Sequence, residues 1–145
     1  MSKKPPTITY KGRNLGIVIL TVAQLIIGAI HVFFGLLLLA FENLLFIQAT
    51  TIYAFYTIIF SVLIVVFAVF IWKGKKLGWV GTVAVSLFVI VADSLTLLNL
   101  PSIPGIPPLA GFGEITYSVV VVGYLLQVGV RRKYFIPSQD EKLKN

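Results

Sequence analysis

The chain has 145 residues, of which 58% are hydrophobic and 12% are charged, and its mean hydropathy is +0.98. Soluble domains are about one quarter charged, so this composition excludes a water-soluble globule. The net charge of +7 does not indicate nucleic-acid binding, because no basic surface of domain size remains outside the apolar segments. The absence of cysteine excludes disulfides, thiolate nucleophiles and iron–sulfur clusters.

Four apolar segments follow along the chain, and each is long enough to cross a hydrocarbon core about 30 Å thick as a helix. A proline-rich segment that begins at Pro101 must end the third helix, because proline removes backbone donors and fixes φ. Residues 1–14 and 136–145 are predicted as tails outside the membrane, the second without fixed structure. The predicted helices span about 15–41, 50–72, 77–100 and 109–130, with a short connection over 43–49.

The basic residues predict the orientation of this four-helix bundle. They occur before the first helix, between the second and third, and after the fourth, whereas the other two connections contain no lysine or arginine. Cytoplasmic segments carry an excess of basic residues, so both termini are predicted to be cytoplasmic. The basic residues are Lys3, Lys4, Lys11, Arg13, Lys73, Lys75, Lys76, Arg131, Arg132, Lys133, Lys142 and Lys144.

Ionisable and phenolic side chains fall at one level of the predicted bundle. His31, Tyr56, Asp93 and Glu114 each lie about 16 residues, or ~24 Å of helix, from the cytoplasmic boundary of their segment. Ionisable residues at membrane depth are costly, and they mark functional sites by default. These four residues are therefore the candidate polar cluster.

One face of the first helix combines polar and small residues. Gln24, Gly28, His31 and Gly35 recur at steps of four, three and four, which places them on one side of a helix. Small residues let helices approach closely, and polar ones hydrogen-bond across the interface. We expect this face to pack against the third helix, where Ser86 lies at the level of Gln24. The same alignment pairs the histidine with the aspartate of the third helix.

Three interpretations of the cluster remain open. The His31 and Asp93 side chains satisfy each other and fix helix packing, or they bind protons near physiological pH. As a third option, His31, Asp93 and Glu114 bind a metal ion with help from water or a partner. The sequence contains no nucleotide-binding, nucleophile-triad or zinc-protease motif, so we predict neither a cofactor nor a self-contained catalytic site.

The basic hairpin from Trp72 to Trp79 has the sequence Trp-Lys-Gly-Lys-Lys-Leu-Gly-Trp. Here the chain resembles a broad group of small uncharacterised prokaryotic membrane proteins, in which a similar hairpin separates the second and third of four helices. The resemblance extends over the hydropathy of residues 14–135. It implies a four-helix membrane fold, is compatible with an archaeal source, and implies no particular activity.

These patterns together predict an all-α protein, a four-transmembrane-helix bundle in the plasma membrane with both termini cytoplasmic. The preferred function is a non-catalytic accessory or scaffolding subunit of a larger membrane complex. The alternative is a small proton-linked transporter or channel using His31 and Asp93, and a third option is a subunit of a membrane metalloenzyme. The expected partners are the lipid bilayer and either other membrane subunits or further copies of the chain.

Overall fold

The computed structural model describes residues 9–10, 13–41 and 51–135, so the predicted connection over 43–49 and the tail over 136–145 lie outside it. A two-residue antiparallel pair, β1 (Thr9–Tyr10) and β2 (Arg13–Asn14), precedes the first helix. The remaining elements are five helices. They are α1 (Leu15–Phe41), α2 (Thr51–Trp72), α3 (Lys76–Leu97), α4 (Pro108–Leu125) and α5 (Val128–Phe135).

Helices α1 to α4 are long and apolar enough to cross a membrane, which confirms the predicted multi-pass helical fold. Helix α4 has 18 residues and the lowest mean hydropathy of the four, 1.3, against 2.8 for α2. Large apolar side chains lie exposed along all four helices, as expected for surfaces in contact with lipid. They include Ile19, Ile26, Phe33, Ile52, Phe55, Ile59, Leu77, Val91, Val119 and Val120.

The close helix–helix contacts join neighbours in sequence: α1 packs on α2, α2 on α3, and α3 on α4. The expected close packing of the first helix against the third is therefore wrong for the described residues, because each of these helices packs on α2 instead. Glycines make these contacts close. A Cβ at Gly28 would lie 3.2 Å from the Ser61 carbonyl oxygen of α2, and one at Gly78 would collide with the α2 backbone near Ile71.

The turn between α2 and α3 and the end of α3 have the same backbone geometry. Gly74 and Asn99 adopt the left-handed conformation, with φ of 71° and 56°. After each of them, an N–H group donates to a carbonyl five residues back, from Lys75 to Phe70 and from Leu100 to Leu95. This motif satisfies the last carbonyls of a helix and stops it. It ends α3 at Leu97, three residues before the predicted boundary.

The fourth predicted helix is divided into two. Helix α4 ends at Leu125, and α5 begins at Val128 and carries the chain to Phe135, beyond the predicted boundary. In a continuous helix the Leu125 carbonyl would accept from a residue four positions later. Instead it accepts a hydrogen bond of 2.9 Å from Nε1 of Trp79 in α3. The distant indole thus satisfies the carbonyl that the break releases.

Two apolar clusters occupy opposite ends of the bundle. We name the end that carries Lys73 to Lys76 and helix α5 the basic end, and the end that carries residues 101–107 the proline end. The cluster at the basic end contains side chains from all five helices, and the cluster at the proline end includes Ile106 of the proline segment. Their buried members are Ile17, Leu20, Ile71, Trp79, Val121, Leu125, Val130 and Tyr134 at the basic end, and Leu38, Tyr53, Ala54, Tyr56 and Ile106 at the proline end.

Candidate functional site

The four residues of the predicted cluster come from four different helices and lie near one another. His31 extends from α1, Tyr56 from α2, Asp93 from α3 and Glu114 from α4. We call these four side chains the polar layer. The layer lies toward the proline end, where Asp93 is four residues from the last residue of α3 and Glu114 six from the first of α4.

His31 pairs with Glu114 rather than with Asp93, the partner expected from helix depth. Its Nε2 lies 3.6 Å from Oε1 of Glu114, and its Nδ1 lies 2.9 Å from the carbonyl oxygen of Ile27 one turn earlier. A carbonyl oxygen only accepts hydrogen bonds, so Nδ1 carries a proton and donates it. Nε2 is therefore the ring nitrogen that faces the Glu114 carboxyl group.

Asp93 has a different neighbour. The hydroxyl group of Tyr56 donates to Oδ1 of Asp93 across 3.4 Å, and the Asp93 side chain also lies close to that of Glu114. Asp93 is 0% exposed, and its Oδ2 has no hydrogen-bond partner among the residues that the structure describes. An isolated buried carboxylate is very costly. The hydroxyl group of Tyr56 offsets part of that cost by donating to Oδ1.

Sequence reasoning missed Tyr117 and Ser118, which extend the layer along α4. Both line a small cavity of about 40 Å³ together with His31, Tyr56 and Glu114. The Tyr117 hydroxyl is buried without a hydrogen-bond partner in the described part of the chain. The two residues follow Glu114 by three and four positions, which is the spacing of one helix face. This spacing in the sequence could have identified both residues as part of the site.

A wider groove separates α1 from α4 at the same level. It encloses a cavity of about 280 Å³, and its walls are mostly apolar. Leu109 at its rim is 86% exposed. The side chains of His31 and Glu114 meet across it and stay 33% and 18% exposed. We call it the α1–α4 groove, and it is lined by Ile27, His31, Leu109, Ala110, Gly113, Glu114 and Tyr117.

The predicted packing residues of the first helix face α2 and the bundle interior. Gly28 lies against Ser61 and Val65, and a Cβ at Gly35 would lie 3.3 Å from the Ala54 carbonyl oxygen. Gln24 is 1% exposed, and its Oε1 has no hydrogen-bond partner within the described ranges. Ser86 of α3 is buried as well. The glycines therefore serve the α1–α2 interface instead of an α1–α3 interface.

Within residues 9–10, 13–41 and 51–135, no group of three or more histidine, cysteine, aspartate or glutamate side chains is arranged to hold a metal ion. His31 and Glu114 thus form a pair with Asp93 nearby. The three side chains do not form a set of metal ligands. A metal bound here would need ligands from a partner, as zinc and copper sites require several.

The fold defines a multi-pass helical membrane protein with a polar layer that adjoins the apolar cluster of the proline end at Tyr56. Comparisons with protein-family models, with curated proteins and with solved structures found no match to the chain.

Proposed function

We propose that the chain is a non-catalytic accessory or scaffolding subunit of a larger membrane complex, and that a partner helix packs into the α1–α4 groove. The supporting observation is the exposure of the His31 and Glu114 side chains inside that groove. In an isolated bundle these polar groups would face hydrocarbon, where polar and ionisable groups are costly. A helix that covers the groove would remove them from lipid.

The chemistry of the groove indicates the kind of helix that fits. Its walls are mostly apolar, so the partner presents aliphatic side chains to Ile27 and Leu109. Small residues would allow close approach to Ala110 and Gly113. A hydroxyl or amide group at the level of the polar layer would hydrogen-bond to Glu114, because polar groups seek partners in a membrane.

The same proposal places the basic end on the cytoplasmic side of the plasma membrane, with both termini cytoplasmic. The six basic residues of the α2–α3 turn and of α5 support it, because cytoplasmic segments are rich in lysine and arginine. A reporter fused after Asn145 tests the orientation. Reporter activity restricted to the extracytoplasmic side would contradict it.

The test of the accessory role uses two glycines of α4. A Cβ at Gly113 or at Gly123 would have nothing within 4 Å, so both positions accept a side chain without an internal clash. Only Gly113 lines the groove. Tagged wild-type protein is purified from its native membrane in mild detergent. We expect a stoichiometric partner with the wild type and with Gly123→Trp, and its loss with Gly113→Trp.

The outcomes of this purification are distinct. Isolation of the wild-type chain alone, as a monomer or as a homo-oligomer, contradicts the accessory role. A partner that both tryptophan variants retain contradicts the groove as its binding site. Thermal unfolding of each purified variant shows whether its bundle remains intact.

The alternative function is a small proton-linked transporter or channel. It is favoured by the collection of two carboxyl groups, an imidazole and a phenol in the polar layer. The apolar cluster at the basic end opposes it, because ions and protons cross such regions only with water or polar groups. The test measures pH-dependent flux in proteoliposomes. Loss of the flux in Glu114→Gln would support this alternative if Thr116→Val, a change at an exposed position on the same helix, keeps it.

A further inference from the structure

Among the side chains that the structure describes, the basic end carries six cations, all of them exposed. They come from the α2–α3 turn and from α5, which the fold brings side by side at the end of the bundle. The acidic residues that the structure describes, Asp93 and Glu114, lie in the polar layer toward the opposite end. The six are Lys73, Lys75, Lys76, Arg131, Arg132 and Lys133.

Three of these cations already have aromatic partners. The Lys75 ammonium lies 5.5 Å from the centre of the Phe70 ring. Lys76 and Arg131 approach the Phe135 ring at 4.8 Å and 5.7 Å. Such cation–π contacts hold the charged group over the ring. At exposed sites each contact stabilises the protein by about 0.5–1 kcal/mol.

Lys73 and Lys133 are arranged differently, because both line a cavity of about 260 Å³ between the end of α2 and α5. Neither side chain has an ion pair or a ring contact within the part of the chain that the structure describes. Two ammonium groups beside one cavity repel each other, and an anion between them would relieve that repulsion.

The rest of the lining combines aliphatic and aromatic side chains with Gly74 and Tyr134. Its floor contains Ile17 and Ile71, which are 7% and 1% exposed, and the half-exposed Trp72 lies at its side. Free phosphate is strongly hydrated and gains nothing from such a floor. A phospholipid presents a phosphate ester next to its glycerol and acyl groups, which matches a cavity lined by two exposed lysines and by buried aliphatic side chains.

We propose that this cavity binds the phosphate group of an anionic phospholipid, held between the ammonium groups of Lys73 and Lys133. The cavity lies where the apolar spans end, which is the level of lipid headgroups. Trp72 is the kind of side chain that is enriched at that level. The site is independent of the α1–α4 groove and of the accessory role.

The test measures lipid retention by native mass spectrometry of the full chain. Purified protein is titrated in detergent with phosphatidylglycerol and, separately, with phosphatidylcholine. We expect one phosphatidylglycerol to be retained in preference to phosphatidylcholine. The Lys73→Gln/Lys133→Gln variant should bind it about 30-fold more weakly, because each basic residue near an anionic lipid contributes roughly fivefold.

The matched control is Lys75→Gln/Lys76→Gln, which removes the same charge from the same end but leaves the cavity lysines in place. It should lose less than fivefold. An equal loss in both double variants would show a general surface-charge effect and would overturn the site, as would no loss in either. Both variants replace exposed lysines, and equal unfolding temperatures in phosphatidylcholine confirm that they are folded.

A competition experiment separates the two sources of phosphate. Inorganic phosphate added in large excess should leave the bound phosphatidylglycerol in place. Displacement of the lipid by phosphate alone, with no preference for the lipid, would assign the cavity to a free anion and would overturn the lipid proposal.

Discussion

His31 and Glu114 meet across the α1–α4 groove with Nε2 and Oε1 3.6 Å apart, while Nδ1 of the same ring is held by the Ile27 carbonyl. The α1 backbone thus fixes which ring nitrogen faces the acid. The contact joins two helices whose backbones are not closely packed.

The protonation of His31 can be observed directly, because the chain contains one histidine. In protein labelled with ¹⁵N-histidine, we expect the Nδ1 signal at the position of a protonated ring nitrogen, since Nδ1 donates to Ile27. The signal should keep that character in Glu114→Gln, because the Ile27 carbonyl is unchanged. An unprotonated Nδ1 in the wild type would contradict the geometry.

Asp93 and Tyr56 should be energetically coupled. A double-mutant cycle of Tyr56→Phe and Asp93→Asn, followed by unfolding in a detergent series, isolates their interaction. We expect a coupling of about 0.6 kcal/mol, the average for hydrogen bonds between membrane helices. Asp93→Asn alone should be tolerated, because the amide keeps an acceptor for the tyrosine and removes a buried acid. Strict additivity of the two changes would show that the contact carries no energy.

Trp79 should be more important for stability than its ring packing implies. Trp79→Phe keeps an aromatic ring but removes the donor to the Leu125 carbonyl. A buried carbonyl left unsatisfied costs about 1–3 kcal/mol, so we expect a loss of that size in the free energy of unfolding. Phe135→Leu is the control, because it removes the edge contact with Trp79, centred 5.0 Å away, and keeps the hydrogen bond. A larger loss in the control would refute the role of the donor.

Two glycine-to-alanine changes should have opposite effects. A Cβ at Gly78 would collide with the α2 backbone, so Gly78→Ala should destabilise the protein by about 1–3 kcal/mol. Gly123 has open space around its Cα, and alanine is the better helix former. Gly123→Ala should therefore raise the stability by up to about 1 kcal/mol. Thermal unfolding of the two variants in one detergent compares them, and equal shifts would disprove the close α2–α3 approach.

The sequence predicts the parts of this structure that depend on one helix at a time. The length of each apolar segment identifies the four spans, and counting along each helix places His31 and Glu114 at similar depth. The same counting does not determine which helices are neighbours. A prediction from depth alone therefore pairs His31 with Asp93. In the structure, the order of the helices around the bundle brings Glu114 to His31 instead.

The helix ends show the same distinction. Asn99 carries a local signal, since asparagine adopts the left-handed conformation that stops a helix, and it could have located the end of α3. The break after Leu125 has no such signal, because its carbonyl is satisfied by Trp79, which is 46 positions away. Contacts between residues distant in sequence are the part that local patterns do not contain.

The order of helix contacts has a consequence for assembly. Each span packs on the one made immediately before it, so every close interface can form as soon as its second helix enters the bilayer. No span has to wait for a distant partner, and the entropy of closing long loops is small at each step. In this order of insertion, α1 and α4 meet last. They form the walls of the groove that contains His31 and Glu114.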